Sequence, residues 1–462
     1  MKCLHEAAQC FLVLISLWTA GAAGLSHAAE PGANNPEGNA AAEVQSYAST
    51  SLQSTPTGTR LGLNQCIEIA LKQNPTILAS LYGVNASQSR VGEARYAYYP
   101  QFSASASYYK IQPLSVQTPT TTIKPDTYEQ YSGSVSVSQN LLDFGKTSAQ
   151  VDISKYNLAS ARSDLRTTQD TVILSVKQAY YGVLQAKRNR DVAADVIKQF
   201  QLHLDQARGF YSVGTKARID VIKAEVDLSN AKLSLINAEN AIKIAWVTLN
   251  NVMGVPDAPE YQIEDDLSIH KFPVTLEEAT SRAYSNRPDL QSIIAKRQAA
   301  ETNIGLARTG YYPVLSGNAS YNWTADRVSD LDQNHYWNAG VVLTVPLFSG
   351  FLTSHQVAEA KANFYAAKAN EETLRQQIVL DVRQAYLNLQ AADASIATAE
   401  LASKQAKENL DLANGRYAAG VGSPVEVSDA FATYVTAQAN FTQSLSNYKI
   451  AQANIEKAMG AR

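Results

Sequence analysis

The chain has 462 residues and a formal net charge of −3, a near balance that offers no basic field to nucleic acid. Beyond its first segment no run of apolar residues is long enough to span a bilayer as a helix, which excludes a helical membrane anchor there and leaves a spanning β-barrel open. Of the cysteines, Cys3 and Cys10 fall in the N-terminal apolar segment; Cys66 stands alone, so neither a disulfide framework nor a multi-cysteine metal site is available.

Lys2, the apolar run from Phe11 to Ala23 and the small residues of Ser26-His27-Ala28 predict a signal peptide over 1–28, cleaved near Ala29 without lipidation. Residues 29–60, with Pro31, Pro36 and Pro56 and few large apolar groups, read as a flexible tether. From Leu61 to Tyr98 the period is helical, with a restart at Asn74-Pro75: Asn caps and Pro takes the first helical position.

After Pro100 the period becomes two. Phe102, Ala104, Ala106 and Tyr108 alternate with serines, and Gly133, Val135 and Val137 do the same, giving two strands joined by a polar loop. Each is ~9 residues, the length that crosses a bilayer at a tilt. From Gly145 to Gly209 there is no proline, and the segment reads as one helix of ~95 Å. Leu158, Leu165, Val172, Ala179, Ala186, Ala193 and Phe200 mark a heptad seam along it. A turn at Tyr211-Ser-Val-Gly214 and a returning helix to Gly254 complete this half.

The whole pattern then recurs. Leu63, Pro75 and Pro100 return as Leu276, Pro288 and Pro313, a shift of 213 (276−63); Tyr211, Gly214 and Gly254 return as Tyr417, Gly420 and Gly460, a shift of 206 (417−211). The chain is therefore read as a tandem duplication, residues 61–254 and 274–462, joined by 255–273. The second copy supplies two more strands, near Leu315–Trp323 and Trp337–Val345, and a matching seam in which Glu371 is the one polar member. In it Arg287-Pro288 keeps the proline and loses the capping side chain.

Small Ser and Asn on the polar strand faces suit a water-filled lumen, and the strand ends are crowded with aromatics such as Tyr98, Tyr99, Tyr311, Tyr312, Trp323 and Trp337, as in outer-membrane barrels. Four strands cannot close a barrel, so the chain must oligomerise; two, three or four copies would give eight, twelve or sixteen strands. His203, His270, His335 and His355 are scattered without metal-ligand spacing, and no catalytic or cofactor site assembles. Glu426 and Asp429, three apart, share a face of the returning helix. Read alone, they are an ordinary helix start favoured by the dipole.

The duplicated plan, the Tyr-Tyr-Pro runs at 98–100 and 311–313, Leu141-Leu-Asp-Phe-Gly145, Pro346-Leu-Phe-Ser-Gly350 and Gly420-Val-Gly-Ser-Pro-Val-Glu-Val-Ser-Asp429 together resemble the TolC family of outer-membrane efflux proteins over about residues 61–462. The resemblance implies a mixed α+β membrane protein: a homotrimer with one 12-stranded outer-membrane β-barrel, four strands per chain, continued by an α-helical coiled-coil barrel through the periplasm. It implies a passive exit duct, with outer-membrane lipid, a periplasmic adaptor (membrane fusion) protein and an inner-membrane pump as partners. It also implies that Glu426 and Asp429 form carboxylate rings at a constricted periplasmic entrance. Tyr417 and Asp220 match a closing network there; Gly422 stands where the family has Arg, leaving Lys216 or Arg218 to supply the cation. Type I protein secretion is the alternative within the same envelope, and a periplasmic coiled-coil scaffold without a pore is the alternative outside it.

Overall fold

A computed structural model describes residues 60–117, 121–123, 126–257, 261–326 and 334–461, all within one unit, Ser54–Arg462. The expected signal segment and all but the last residue of the expected tether lie outside the described residues, as do parts of both strand-connecting loops.

The first half begins with a two-residue strand β1 (Arg60–Leu61) and helices α1 (Leu63–Gln73) and α2 (Pro75–Ala94). As expected, Asn74 is the cap between them: its side chain accepts from the Thr76 amide at 2.8 Å while its own amide group donates to the Val252 carbonyl at 2.8 Å. Strand β2 (Gln101–Ile111), a small excursion of β3 (Val116–Gln117) and β4 (Thr122–Ile123), and β5 (Tyr128–Leu142) follow. Then come α3 (Lys146–Ser212) and α4 (Arg218–Met253), and β6 (Gln262–Ile263). The second half runs α5 (Leu276–Asn286), α6 (Pro288–Arg308), β7 (Val314–Ala325), β8 (His335–Thr344), α7 (Leu352–Ala418) and α8 (Pro424–Ala458). At the place of Asn74 stands Arg287, which caps nothing and sends its guanidinium instead to Asp289 and Asp381 at 2.7 and 3.0 Å.

The four long strands form one antiparallel sheet in the order β2-β5-β7-β8. They are longer than the ~9 residues expected from a bilayer crossing: 11, 15, 12 and 10 residues. β5 and β7 each pair on both sides, so their backbones stay hydrogen-bonded well past that length. On one face of β2 and β5 three serine pairs stand directly opposite each other, Ser103–Ser136, Ser105–Ser134 and Ser107–Ser132, with hydroxyls 2.7–2.9 Å apart. The sheet's outer strands β2 and β8 are exposed along almost their whole length.

α3 and α7 each have 67 residues, about 100 Å of helix. Neither fits alone against a single partner. At the end away from the sheet the helices lie side by side in the order α4-α3-α8-α7; nearer the sheet the order is α2-α3-α6-α7. The heptad seam is real: Leu158, Val172, Phe200, Ile378, Ala385 and Ala406 are buried and the remaining seam positions half-buried. Glu371 holds its place on the seam by accepting from Arg297 at 2.7 Å and Arg375 at 2.8 Å. Burial opposes its ionisation, but the two guanidinium groups outweigh that and keep its carboxyl below the usual range.

Midway along the helices the connection and both chain halves meet. β1 pairs in parallel with β6, Leu61 facing Ile263, and Tyr180 donates to the Glu264 carbonyl at 2.7 Å. Tyr448 of α8 donates to the His270 carbonyl at 2.9 Å. The last turn of α4 stops against the α1–α2 junction: Gly254 has a φ of +78°, and a Cβ there would sit 2.6 Å from the Gln73 carbonyl oxygen. Only glycine meets both demands. Among the described residues no helix is long and apolar enough to cross a membrane.

Candidate functional site: the two helix-hairpin turns

At the end remote from the sheet, the α3–α4 and α7–α8 turns pack together over a core that includes Phe200, Leu204, Ala207, Leu228, Leu410, Val427 and Phe431. Phe200 and Phe431 bring α3 and α8 together, ring centroids 4.4 Å apart. Each turn reverses through a left-handed glycine, Gly214 at φ +76° and Gly420 at φ +78°.

Tyr417, from the last turn of α7, is fully buried between the two hairpins. Its ring lies 4.5 Å from that of His203 and 5.8 Å from that of Phe210, both on α3. Its hydroxyl has no hydrogen-bond partner among the described residues, so the expected Tyr417–Asp220 bond is not made within the chain. Asp220, half-buried in the first turn of α4, acts on Tyr417 through its field: burial raises the phenol's pKa first, and the Asp220 charge raises it further.

Gly422 leaves no room for a side chain. The Val421 and Gly422 amides both donate to the Arg416 carbonyl, at 3.1 and 2.9 Å, folding the turn so tightly that a Cβ on Gly422 would lie 2.8 Å from the Tyr417 nitrogen. Any side chain there would force the turn apart. From the other hairpin, Lys216 donates its ammonium to the Gly422 carbonyl at 3.3 Å and stands 5.8 Å from the Tyr417 ring centroid. Lys216 and Gly422 are also equivalent positions of the two halves, 206 apart (422−216). Arg218 stays exposed, and no hydrogen bond or ion pair joins it to the second turn among the described residues.

Ser423 caps α8, its hydroxyl accepting from the Glu426 amide at 3.2 Å. The carboxylate of Glu426 meets Arg416 at 3.4 Å in an exposed pair, a contact that contributes little in water. Asp429 is exposed on the same face, opposite the buried Val427, Ala430 and Phe431, and makes no ion pair among the described residues. A second link joins α4 to α8: Ser428 donates to Asp227, whose other neighbour is Lys223 at 3.8 Å. Sequence reasoning missed Asp227, Ser428, Arg416 and above all His203, which looked like one of several scattered histidines. The 206-residue register could have flagged Lys216 against Gly422; nothing local flags His203. Among the described residues no three His, Cys, Asp or Glu converge as a metal would require.

The two turns thus form an apolar joint with a tight reversal, one cross-hairpin lysine contact and an acidic outer face. The sequence pattern of the outer membrane efflux proteins matches this chain twice, at residues 66–255 and 279–461. The chain belongs to that family. Among curated relatives, outer membrane protein TolC of Escherichia coli is 26% identical over 419 residues, spanning 86% of this chain and 82% of its own length. The pyoverdine export outer membrane protein OpmQ of Pseudomonas aeruginosa is 23% identical, over 72% of this chain and 71% of its own. Among solved structures, CusC superposes with a TM-score of 0.77 at 17% identity, covering 89% of this chain and 96% of its own, and the Vibrio cholerae outer membrane protein VceC with 0.72 at 19%, covering 86% and 96%. This outer membrane efflux protein thus shares their helix-dominated α+β fold, in a family of transport ducts.

Proposed function

We propose that this outer membrane efflux protein is the exit duct of a tripartite export system, a homotrimer whose barrel crosses the outer membrane and whose helices carry the path through the periplasm to an adaptor and an inner-membrane pump. The observation that carries the reading is that every layer of the chain ends in an open edge. In the sheet, β2 and β8 have one unpaired side each. An open sheet edge is not tolerated in lipid. In the helical layer remote from the sheet, the outer members α4 and α7 hold the exposed apolar stripes: Ile222, Val226, Leu233, Ile236, Ile244 and Val247 on α4, and Leu380, Leu387 and Leu401 on α7. A head-to-tail ring in which β8 meets the next copy's β2 and α7 meets the next copy's α4 closes both edges at once. Three copies give twelve antiparallel strands and room for a lumen.

In this assembly the hairpin ends of three copies converge on the periplasmic entrance. Glu426 and Asp429, exposed on one face of α8, form rings of carboxylates there that favour cations. Tyr417, Asp220 and Lys216 hold the closed state, with Lys216 in the role left open at Gly422; Arg218 serves as an exposed charge beside them. The two halves derive from one duplicated unit, so each hairpin contributes an equivalent half of the gate. Single-channel recording from the purified protein in planar bilayers, with unboiled gel mobility as the measure of assembly, tests the reading: discrete conductance steps from a trimer are expected, and a detergent-soluble monomer without conductance would overturn it.

A further inference from the structure

His203 is 3% exposed, and neither ring nitrogen has a hydrogen-bond partner among the described residues. A neutral imidazole carries one donor and one acceptor, and the low dielectric of an apolar joint makes both expensive to leave dry. Phenylalanine or leucine would fill the same space without that cost, so packing does not account for a histidine here. The ring is pressed on Tyr417, at 4.5 Å and a 53° tilt, and the phenol hydroxyl is equally without a partner. This contact is the seam where α3 of one hairpin touches α7 of the other.

The charged groups that act on His203 stand on α4: Asp227 and Asp220 favour its cation and Lys223 opposes it. From α7 it meets Tyr417, and the first turn presents Lys216 beyond that ring. α8 contributes Phe431 and Tyr434 to the same cluster and places Ser428 on Asp227. On α3 itself Asp205 and Arg208 are exposed. Two carboxylates on the neighbouring helix therefore favour an imidazolium through their charge, and neither is hydrogen-bonded to the ring.

We propose that His203 is a proton-operated release between the two hairpin ends: neutral, it lets Tyr417 close on α3; protonated, it must reach water or an α4 carboxylate, and reaches either only when Tyr417 withdraws. Burial, more than the opposing fields of Asp227 and Asp220, sets the packed histidine's pKa below its ordinary value of 6.5. Above the ordinary value both states are neutral and pH has no effect. As the pH falls below it, the released state binds the proton that the packed state refuses, and the equilibrium shifts toward release by up to about tenfold per pH unit until the packed-state pKa is passed. An acidified periplasm thereby loosens the joint. The consequence for conduction, though not the release itself, rests on the proposed placing of the entrance at these turns.

Hydrogen–deuterium exchange of the assembled protein in detergent, read on peptides spanning 197–210 and 410–420 at pH 7.5 and 5.5 and corrected for intrinsic exchange, tests it. Wild type should lose up to about tenfold in protection at the lower pH, whereas His203→Phe and His203→Gln, which cannot take the proton, should change by less than twofold. Equal loss of protection in wild type and both variants, or no loss in any, would overturn the proposal. Bilayer conductance over the same pH range should rise in wild type and stay flat in the variants. A His203-dependent loss of protection with unmoved conductance would uphold the release and count against the entrance at these turns.

Discussion

Tyr417 joins the two hairpins through its ring, not through its hydroxyl. The ring is enclosed by His203, Phe210 and the Lys216 ammonium, while the hydroxyl has no hydrogen-bond partner among the described residues. Removing a buried hydroxyl that has no partner relieves a desolvation cost. Tyr417→Phe is therefore expected to leave the channel closed and its Tm unchanged or slightly raised, whereas Lys216→Ala, which removes the ammonium from the Gly422 carbonyl, should raise the open probability. Bilayer recording compares the two directly, and a Tyr417→Phe channel that stands open would mean that a neighbouring copy supplies the hydroxyl's partner.

Glu371 shows the opposite case, a half-buried polar group fully served. Replacing it by Leu leaves Arg297 with Glu301 as its remaining carboxylate and Arg375 to solvent, at a cost of about 1 kcal/mol. The Glu371→Leu/Arg297→Leu pair should recover much of the loss, as measured by thermal unfolding of the two variants. Because its carboxyl titrates below the ordinary value, the stabilisation is complete above that value and is lost as the pH falls through the lowered one. The difference in Tm between wild type and Glu371→Leu should accordingly be constant from neutrality to about pH 5 and shrink in stronger acid.

At the scale of elements, the long helices are continuous because nothing in them breaks the ladder, and the short ones end where the chain must pass another backbone. Gly254 closes α4 against the α1–α2 junction in a left-handed conformation with no room for a Cβ. Gly209 lies inside α3 with open space around it. Alanine should thus act in opposite directions: Gly254→Ala is expected to cost about 3 kcal/mol through strain and backbone displacement, and Gly209→Ala to stabilise by about 0.5–1 kcal/mol through helix propensity. Thermal unfolding of the two variants checks both signs. The strands follow a similar logic: directly opposed serines on one face of β2 and β5 form a hydroxyl ladder, each hydroxyl paired with the one across from it.

At the scale of the whole molecule, the proposed trimer would cover the open edges at which the described sheet and the exposed helical stripes stop. Leu233→Glu together with Ile236→Glu places charges on the exposed α4 stripe and leaves the chain's own core untouched. It should weaken the trimer while preserving helix content, as unboiled gel mobility and circular dichroism would read. If three copies do gather Glu426 and Asp429 at one aperture, divalent cations should obstruct the channel from the periplasmic side. Replacing both by Ala should remove that block and reduce cation preference. An unchanged block would assign the two acids to the helix start alone and move the constriction elsewhere.

Periodicity is a local property, so it was readable directly: period two marked the four strands, the heptads marked the seams of α3 and α7, and Asn74-Pro75 and Gly254 marked helix ends. The constant registers of 213 and 206 residues implied two equivalent halves without any knowledge of contacts. The candidate site was legible only as a region. Glu426, Asp429, Tyr417, Asp220 and Lys216 were singled out from the sequence and its family resemblance, but which of them touch depends on how two hairpins 206 residues apart are pressed together. Packing alone decided that Gly422 has no room for a side chain, that its equivalent Lys216 reaches across to it, and that His203 lies dry against Tyr417. A buried histidine and an exposed one look alike in a helical sequence, because burial is set by what the other helices bring to that face.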